Sequence, residues 1–576
     1  YNTFTADSFS NIRPAGNFII DIRKRIIDPI KNFPDPLKNY ASALLIGKVD
    51  QGFYDDNPAI TKLNLIHLFS ISGFQVTYLS TLLKKTNIRL RVPKQINDYL
   101  NISILPIFFF ISGSPSSLLR PIIASETRLF TNRFNKLEVW SISLLAALII
   151  SPQVLFTLGG QLSFLLSFGL VIASRFNYFN QTIFMTILSL PILLNAKFTF
   201  HFLSILSNLL AIPLFSILII PLIAASIVLR SIDFVPETVN SVLKILNYIL
   251  ETISSLPGEI VFGKLPNFLA LLLIISVIGI SSKKYRKRLI QVTSILLGGS
   301  FLFIHIPISG EFTMFDIGQG DSFLYRQPFN KTVNLIDTGG LVQFAEEKWR
   351  KKKYSQNQID SITLSYLHAN GISKIDNLVL THKDTDHIGN VKYLLPHIKV
   401  QNILIPNGME STKTFREEIR PFVNQKTKIL SVDIHSTLYF PFQILNPRTE
   451  GKAENEDSIA LFFKAGKTNI FTAGDLGKKG EMEILTTFPK MKIDLLKVGH
   501  HGSKTSNDSR FVQQSTPKYA FISAGRNNHY GHPNQQTIKT LNRYHVKLFN
   551  TQINGMTKLT YNFMQTSFKT YLHENQ

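Results

Sequence analysis

A chain of 576 residues is too long for one ordinary core, and a charged fraction of 17%, below the roughly 25% usual for soluble domains, together with a positive mean hydropathy suggests membrane segments. A formal charge of +23 suits a polyanionic partner or an anionic lipid surface. The absence of cysteine excludes disulfides and thiolate metal sites, so any metal must be held by His, Asp and Glu.

The sequence starts at Tyr1 rather than Met, so residues ahead of it are expected, and its opening stretch shows no secretory signal pattern. Residues 1–60 read as an N-terminal juxtamembrane segment. Within it, Phe18 to Ile30 alternates apolar and basic residues at helical spacing, which suits an amphipathic helix on a surface. Residues 61–309 read as a polytopic membrane domain. Its clearest apolar runs are 139–157, 161–174, 181–196, 202–229, 267–281 and 289–307, with weaker ones at 65–83, 102–113 and 239–250. A crossing helix takes roughly 20 such residues. Pro213 and Pro221 predict that the run 202–229 is one kinked helix or two shorter ones.

Arg120, Glu126, Arg128, Gln161, Ser163, Asn195 and Asn208 sit inside or beside these runs. Polar groups are costly in lipid, so these are expected to face a bundle interior or a water-filled path. Lys283, Lys284, Arg286, Lys287 and Arg288 crowd one short loop, which the positive-inside rule keeps cytoplasmic. The run after them then crosses outward and leaves residues 310–576 outside the cytoplasm.

After Gly310 the pattern changes to short runs with strand character at 312–317, 322–326, 332–337, 376–381, 402–406, 458–464 and 468–473. They predict one α/β domain. Lys348, Arg350, Lys351, Lys352 and Lys353, beside Trp349 and Tyr354, form a basic patch with aromatic neighbours, a mixture suited to single-stranded DNA; Lys351 and Lys352 are substrate-binding candidates.

The segment Asp376-Asn-Leu-Val-Leu-Thr-His382-Lys-Asp384-Thr-Asp386-His387 ends an apolar strand in a loop with two imidazoles and two carboxylates. Phe471-Thr-Ala-Gly-Asp475 repeats the arrangement with one carboxylate, and Val498-Gly-His500-His501-Gly-Ser503-Lys504 adds two imidazoles. These are the donors a divalent cation takes once thiolates are excluded, and strand ends can aim them into one volume.

The three segments together resemble the metallo-β-lactamase superfamily, a four-layer αβ/βα sandwich. Its first motif matches Asp337 in Leu335-Ile-Asp337-Thr-Gly-Gly340, and its His-x-His-x-Asp-His loop matches with Asp384 in place of the second His. Its third-motif His has no counterpart; Glu454-Asn-Glu456-Asp457 stands nearest. Asp316-Ile-Gly-Gln-Gly-Asp321-Ser, the His382 loop, the His500 loop, Tyr530-Gly-His532-Pro533, Leu65-Ile-His67-Leu-Phe-Ser-Ile-Ser72-Gly73 and Gly160-Gln161-Leu-Ser163-Phe further resemble the ComEC-type competence DNA channel, with Gln75 where that family commonly has His. The soluble oligonucleotide-binding-like domain and first helices that many members carry ahead of this region are not visible here.

The resemblance implies a protein of the bacterial cytoplasmic membrane that internalises single-stranded transforming DNA. Its second half would be a metal-dependent nuclease acting on the other strand of double-stranded DNA. It also implies work alongside other competence uptake proteins, a DNA receptor and a translocation ATPase. The ligand set it implies is His382, Asp384, Asp386, His387, Asp475 and His501, around one or two ions, Mn²⁺ or Zn²⁺ with Mg²⁺ admissible. Asp386 would serve as general base. His500 would assist the leaving group, and Ser503, Lys504 and His532 would contact phosphate. The alternative is a DNA channel whose second half guides DNA without cutting it.

Overall fold

The computed structural model describes the chain except at residues 1–17, 48, 50–51, 70–72, 131–132, 341–358, 437–440, 527 and 573–576. The basic patch with Lys351 and Lys352 lies outside the described residues. Two compact units result, one of Tyr1–Ile260 and Leu265–Leu297, the other of Val261–Lys264 and Gly298–Gln576.

The first unit is helical. Its helices follow the apolar runs, as in Lys136–Ile150, Leu158–Ile172, Tyr178–Lys197 and Asn267–Gly279. Their starts are fixed locally: Asn135 accepts from the amides of Leu137 and Glu138 while Glu138 reaches back, and Thr157 and Asn177 cap the next two. Tyr178–Lys197, Leu203–Val228 and Arg286–His305 are long and apolar enough to cross a membrane. The run with two prolines is one helix carrying a π turn at Phe215–Ile219, between Pro213 and Pro221. Each proline removes one amide donor, and the wider turn takes up the mismatch. The weak run 65–83 resolves into Ile66–Phe69 and Gly73–Arg89.

The early residues are built into this unit. Ile30, Leu37, Tyr40, Leu44, Phe53 and Ile60 are buried with Phe69, Phe215, Ile223, Leu243 and Leu250. The Tyr40 hydroxyl donates to Asn247 Oδ1 at 2.5 Å, and the Asn247 amide donates to Asn57 Oδ1 at 3.1 Å, so this core holds a paired polar string. Of the polar residues within the apolar runs, Gln161 spends its amide on the Leu155 carbonyl, 2.8 Å away. Asn195 Oδ1, Asn208 Oδ1 and Glu126 Oε1 are buried with no hydrogen-bond partner.

The second unit is a sandwich of two sheets. Across the larger, the strands run Thr566–Thr570, Thr557–Tyr561, Gly310–Met314, Phe323–Arg326, Val333–Ile336, Lys374–Val379, Lys399–Pro406 and Lys428–Val432. From Val333–Ile336 onward the pairing is parallel. Across the smaller they run Lys547–Asn550, Tyr519–Ile522, Leu495–Lys497, Thr468–Thr472, Ala460–Ala465 and Gln443–Asn446, parallel through the first four.

Strand alternation divides the core. Phe323 and Tyr325 face the layer between the sheets with Phe463, Ile470 and Phe521. Leu324 faces the opposite way, under Leu367, Val391 and Phe415. On the far side Phe471, Leu496 and Ile522 are covered by Ile484, Phe511 and Leu541. Both sheets are thus buried on both faces, which explains why their strands read as continuous apolar runs. The result is the expected αβ/βα arrangement.

Candidate metal centre

The parallel strands put their C-terminal ends at one edge of the sandwich, where loops leave a ledge for chemistry. The loop after Lys374–Val379 carries His382, Asp386 and His387. Asp475 follows Thr468–Thr472, His501 follows Leu495–Lys497, and Asp337 follows Val333–Ile336. Asp337, His500 and His501 hold positive φ of 56°, 47° and 53°, a region costly for residues with a Cβ and most often tolerated at functional sites.

Hydrogen bonds fix the imidazoles. The Thr381 hydroxyl donates to Asp337 Oδ2 at 2.7 Å, so the His382 Nδ1 proton is left to donate to Thr381 Oγ1 at 3.0 Å. His387 Nδ1 donates to Asp337 Oδ2 at 2.8 Å, and His501 Nδ1 donates to the Ser523 carbonyl at 2.9 Å. Each ring is therefore tied at Nδ1 and presents Nε2 inward, the way protein scaffolds orient metal-binding histidines. His382 Nε2, His387 Nε2, His501 Nε2 and Asp475 Oδ1 are all buried with no hydrogen-bond partner. Buried polar atoms are rarely left so, and four aimed at one volume fit a cation.

The inward atoms are close. His387 Nε2 lies 3.3 Å from Asp475 Oδ1, and His382 Nε2 lies 3.9 Å from Asp475 Oδ2. His501 Nε2 stands 3.2 Å from Asp386 Oδ2 and 3.7 Å from Asp475 Oδ2. Two ligand triads, His382 with His387 and Asp475, and Asp386 with His387 and His501, each gather their donor atoms within 4.8 Å. Asp475 lies within ion-pair distance of imidazole nitrogens from both groups.

Charges follow the geometry. Burial opposes a charged imidazole at His387, but Asp475 and Asp337 outweigh it and hold its pKa well above the ordinary value. Burial also opposes the charge at His501, where Asp475 and Asp321 prevail and push it up to about 10. At Asp475 burial works toward protonation, and the pull of His387 and His501 keeps the carboxyl well below its usual range.

The remaining candidates are spread around this cluster. Asp384 is half-exposed, with Oδ2 3.7 Å from His382 Nε2, and belongs to neither triad. His500 is partly exposed with Nε2 3.6 Å from Asp475 Oδ2, and burial pushes it down. The His532 ring lies 5.7 Å from the His500 ring and is also pushed down, by burial and then by His501 and His500. Ser503 is buried, with its carbonyl taken by the Thr537 hydroxyl at 3.0 Å, and Lys504 is exposed. Asp457 near the third-motif position accepts from the amides of Lys452 and Glu454 at 2.9 and 3.0 Å, and Glu454 pairs with Lys383. From that stretch only Ser458 reaches the site, accepting the Asp475 amide at 3.3 Å.

Lys497 escapes the sequence reading, and Asp321 enters it only as part of a resemblance motif, with no role given. Lys497 is fully buried, pairs with Asp321, donates to the Gly474 carbonyl at 2.9 Å and lies 3.9 Å from Asp475 Oδ1. Asp321 Oδ1 lies 3.4 Å from His501 Nδ1. A lysine inside the apolar strand Leu495–Lys497, directly ahead of the His500 loop, is the signal that marks the pair.

Comparison with known proteins bears on both units. The competence-protein family matches residues 44–285, and the metallo-beta-lactamase superfamily matches residues 315–526. The chain is 30% identical to ComE operon protein 3 of Bacillus subtilis over 604 aligned residues, covering 99% of this chain and 77% of that protein. It is 32% identical to Recombination protein 2 of Haemophilus influenzae over 251 residues, 43% of this chain and 28% of that protein. Competence protein ComA of Neisseria gonorrhoeae matches at 30% over 247 residues, 42% of this chain and 31% of that protein. With a competence region, a metallo-β-lactamase unit and a near full-length match to ComE operon protein 3, the chain belongs to the family of competence proteins.

Proposed function

We propose that this chain internalises DNA at the bacterial cytoplasmic membrane, passing one strand through its helical unit, and that its metallo-β-lactamase unit is a metal-dependent phosphodiesterase that degrades the other. Family membership supports the role in DNA internalisation. The nuclease reading is carried by one observation: three imidazoles tied at Nδ1, with Nε2 atoms buried and unpaired around Asp475.

His382, His387, Asp386, His501 and Asp475 would hold the ion or ions. A divalent cation there supplies the positive charge that polarises a phosphodiester and activates a water. Asp386, at 19% side-chain exposure the outermost of these carboxylates, takes a proton from the attacking water. His500 and His532, held neutral near pH 7, offer hydrogen bonds to phosphate oxygens at the mouth. Mn²⁺ or Mg²⁺ suits the carboxylate share of the donor set, and Zn²⁺ the imidazole share. The test is incubation of the purified full chain with labelled duplex DNA and each metal. Cleavage that is abolished in Asp475→Ala and His501→Ala supports the reading.

A second reading, in which the unit guides DNA without cutting it, is favoured by the third-motif stretch, whose carboxylates serve caps and a surface ion pair. Absence of cleavage with Mn²⁺, Zn²⁺ and Mg²⁺ alike would select it. The basic loop Lys283 to Arg288 supports an extracytoplasmic placement of residues 310–576. Protease added to intact cells would then reach this unit, and full protection would refute the placement.

A further inference from the structure

We infer that Arg120 is a phosphate-binding group inside the helical unit, contacting the backbone of the strand that unit carries; this rests on the proposed role in DNA internalisation.

Arg120 lies on the helix Ser116–Phe130, which packs against Gly73–Arg89, Lys94–Ile111, Lys136–Ile150 and Leu158–Ile172 at once. Two apolar clusters occupy adjacent sides of this helix. Leu118 and Ile122 pack with Val76 and Leu105, and Leu119 packs with Ala147, Val154 and Phe164. The third side is a different stripe. Helical spacing sets Ser117, Arg120, Ala124, Thr127 and Arg128 along it, a polar face on a helix whose neighbours cover the rest.

The guanidinium meets both sequence signatures of the helical unit. Its Nε donates to Ser163 Oγ at 3.1 Å, the serine of Gly160-Gln161-Leu-Ser163. A terminal nitrogen lies 3.0 Å from where a Cβ on Gly73 would stand, so any side chain there would crowd the arginine. Two distant segments are thus shaped around one cation.

Among the described residues, no carboxylate comes within ion-pair distance of Arg120. Glu126, on the same helix, keeps a buried unpaired Oε1 of its own and leaves Arg120 unneutralised. A guanidinium used as internal glue is ordinarily matched to a carboxylate, because an uncompensated charge in such surroundings is costly. A fork of N–H donors with no such partner beside it suits an anion that arrives and leaves, and the guanidinium geometry matches phosphate oxygens. A nucleic-acid backbone and a lipid headgroup both present that chemistry, and the test separates them.

The 576-residue chain is purified in detergent with EDTA, and its affinity for labelled (dT)30 is measured across salt concentrations. Arg120→Gln is expected to reduce the log–log salt slope by about 0.7, the value for one single-stranded phosphate contact, while Arg120→Lys keeps the slope. An unchanged slope in a variant with an unchanged thermal midpoint overturns the inference. So does loss of co-purifying phosphatidylglycerol in Arg120→Gln with the DNA slope intact, which would assign the site to lipid. Should Arg120→Gln fail to fold, Ala124→Cys gives the only thiol in a cysteine-free chain, one turn along the same stripe. Modified with benzophenone maleimide, it is expected to photocrosslink to (dT)30, and absence of that crosslink overturns the inference. A wild-type chain that does not bind (dT)30 sinks the underlying role as well; a binding wild type with an unchanged Arg120→Gln slope sinks this inference alone.

Discussion

Asp337 shows how much of the centre depends on atoms that need not touch the ion. One oxygen accepts from the Thr381 amide at 2.8 Å and the other from the Thr381 hydroxyl and His387 Nδ1. Asp337→Ala frees the His387 ring and removes the partner that sets its tautomer. It is expected to lower metal affinity about 10–100-fold, read by competition titration against a chelating dye. The protons on His387 and His501 give a second consequence. Both pKa values are raised by the carboxylates around the rings, His501 to about 10, so a bound ion must displace protons from them. Metal affinity should therefore rise with pH from 6 to 9, and calorimetry in buffers of differing ionisation enthalpy should show proton release. A pH-independent affinity would contradict this assignment. Lys497 and Asp321 form a third unit. Lys497→Met strands a buried carboxylate and is expected to cost about 3–5 kcal/mol, with Lys497→Met/Asp321→Asn recovering most of it, both read by denaturant titration.

Elements differ in how far their sequence announces them. The loop from His382 to His387 is legible because its donors crowd six positions after an apolar strand. Asp475 and His501 are legible because each repeats that strand-to-loop pattern. Asp384 shows the limit of spacing. It precedes the short helix Thr385–Ile388, and its half-exposed carboxylate stands 3.7 Å from His382 Nε2, outside both triads, while Asp386, two residues on, lies 3.2 Å from His501 Nε2. Lys497 hides for the opposite reason, since a lysine in a strand reads as a surface residue until the second sheet buries it. The π turn between Pro213 and Pro221 is likewise a tertiary choice; the prolines foretell a distortion but not its form. Loop packing also sets the centre. A Cβ on Gly340 would stand 2.0 Å from the Thr385 carbonyl, so Gly340→Ala must push back the turn that carries Asp386 and His387. It is expected to destabilise the fold by about 1–3 kcal/mol and to weaken metal binding with no ligand altered, measured by thermal melting and metal titration.

At the scale of the whole chain, composition separates the two units before any motif does. The first half, with its long apolar runs, and the second half, with its short strand-like runs, correspond to a helical unit and a sandwich. What composition cannot announce is that residues such as Ile30, Tyr40 and Phe53 belong to the helical core. Tyr40 and Phe53 look ordinary in sequence and become core residues only when Phe69 and Phe215 close around them. The proposed chemistry of the second unit depends on the sandwich holding a cation. The most direct test is the manganese content of the 576-residue chain after gel filtration, for the wild type and for the double variant His387→Ala/Asp475→Ala. Stoichiometric metal retained by the wild type and lost from the variant is the predicted result. A wild-type chain that emerges metal-free, or a variant that keeps its metal, would contradict the account.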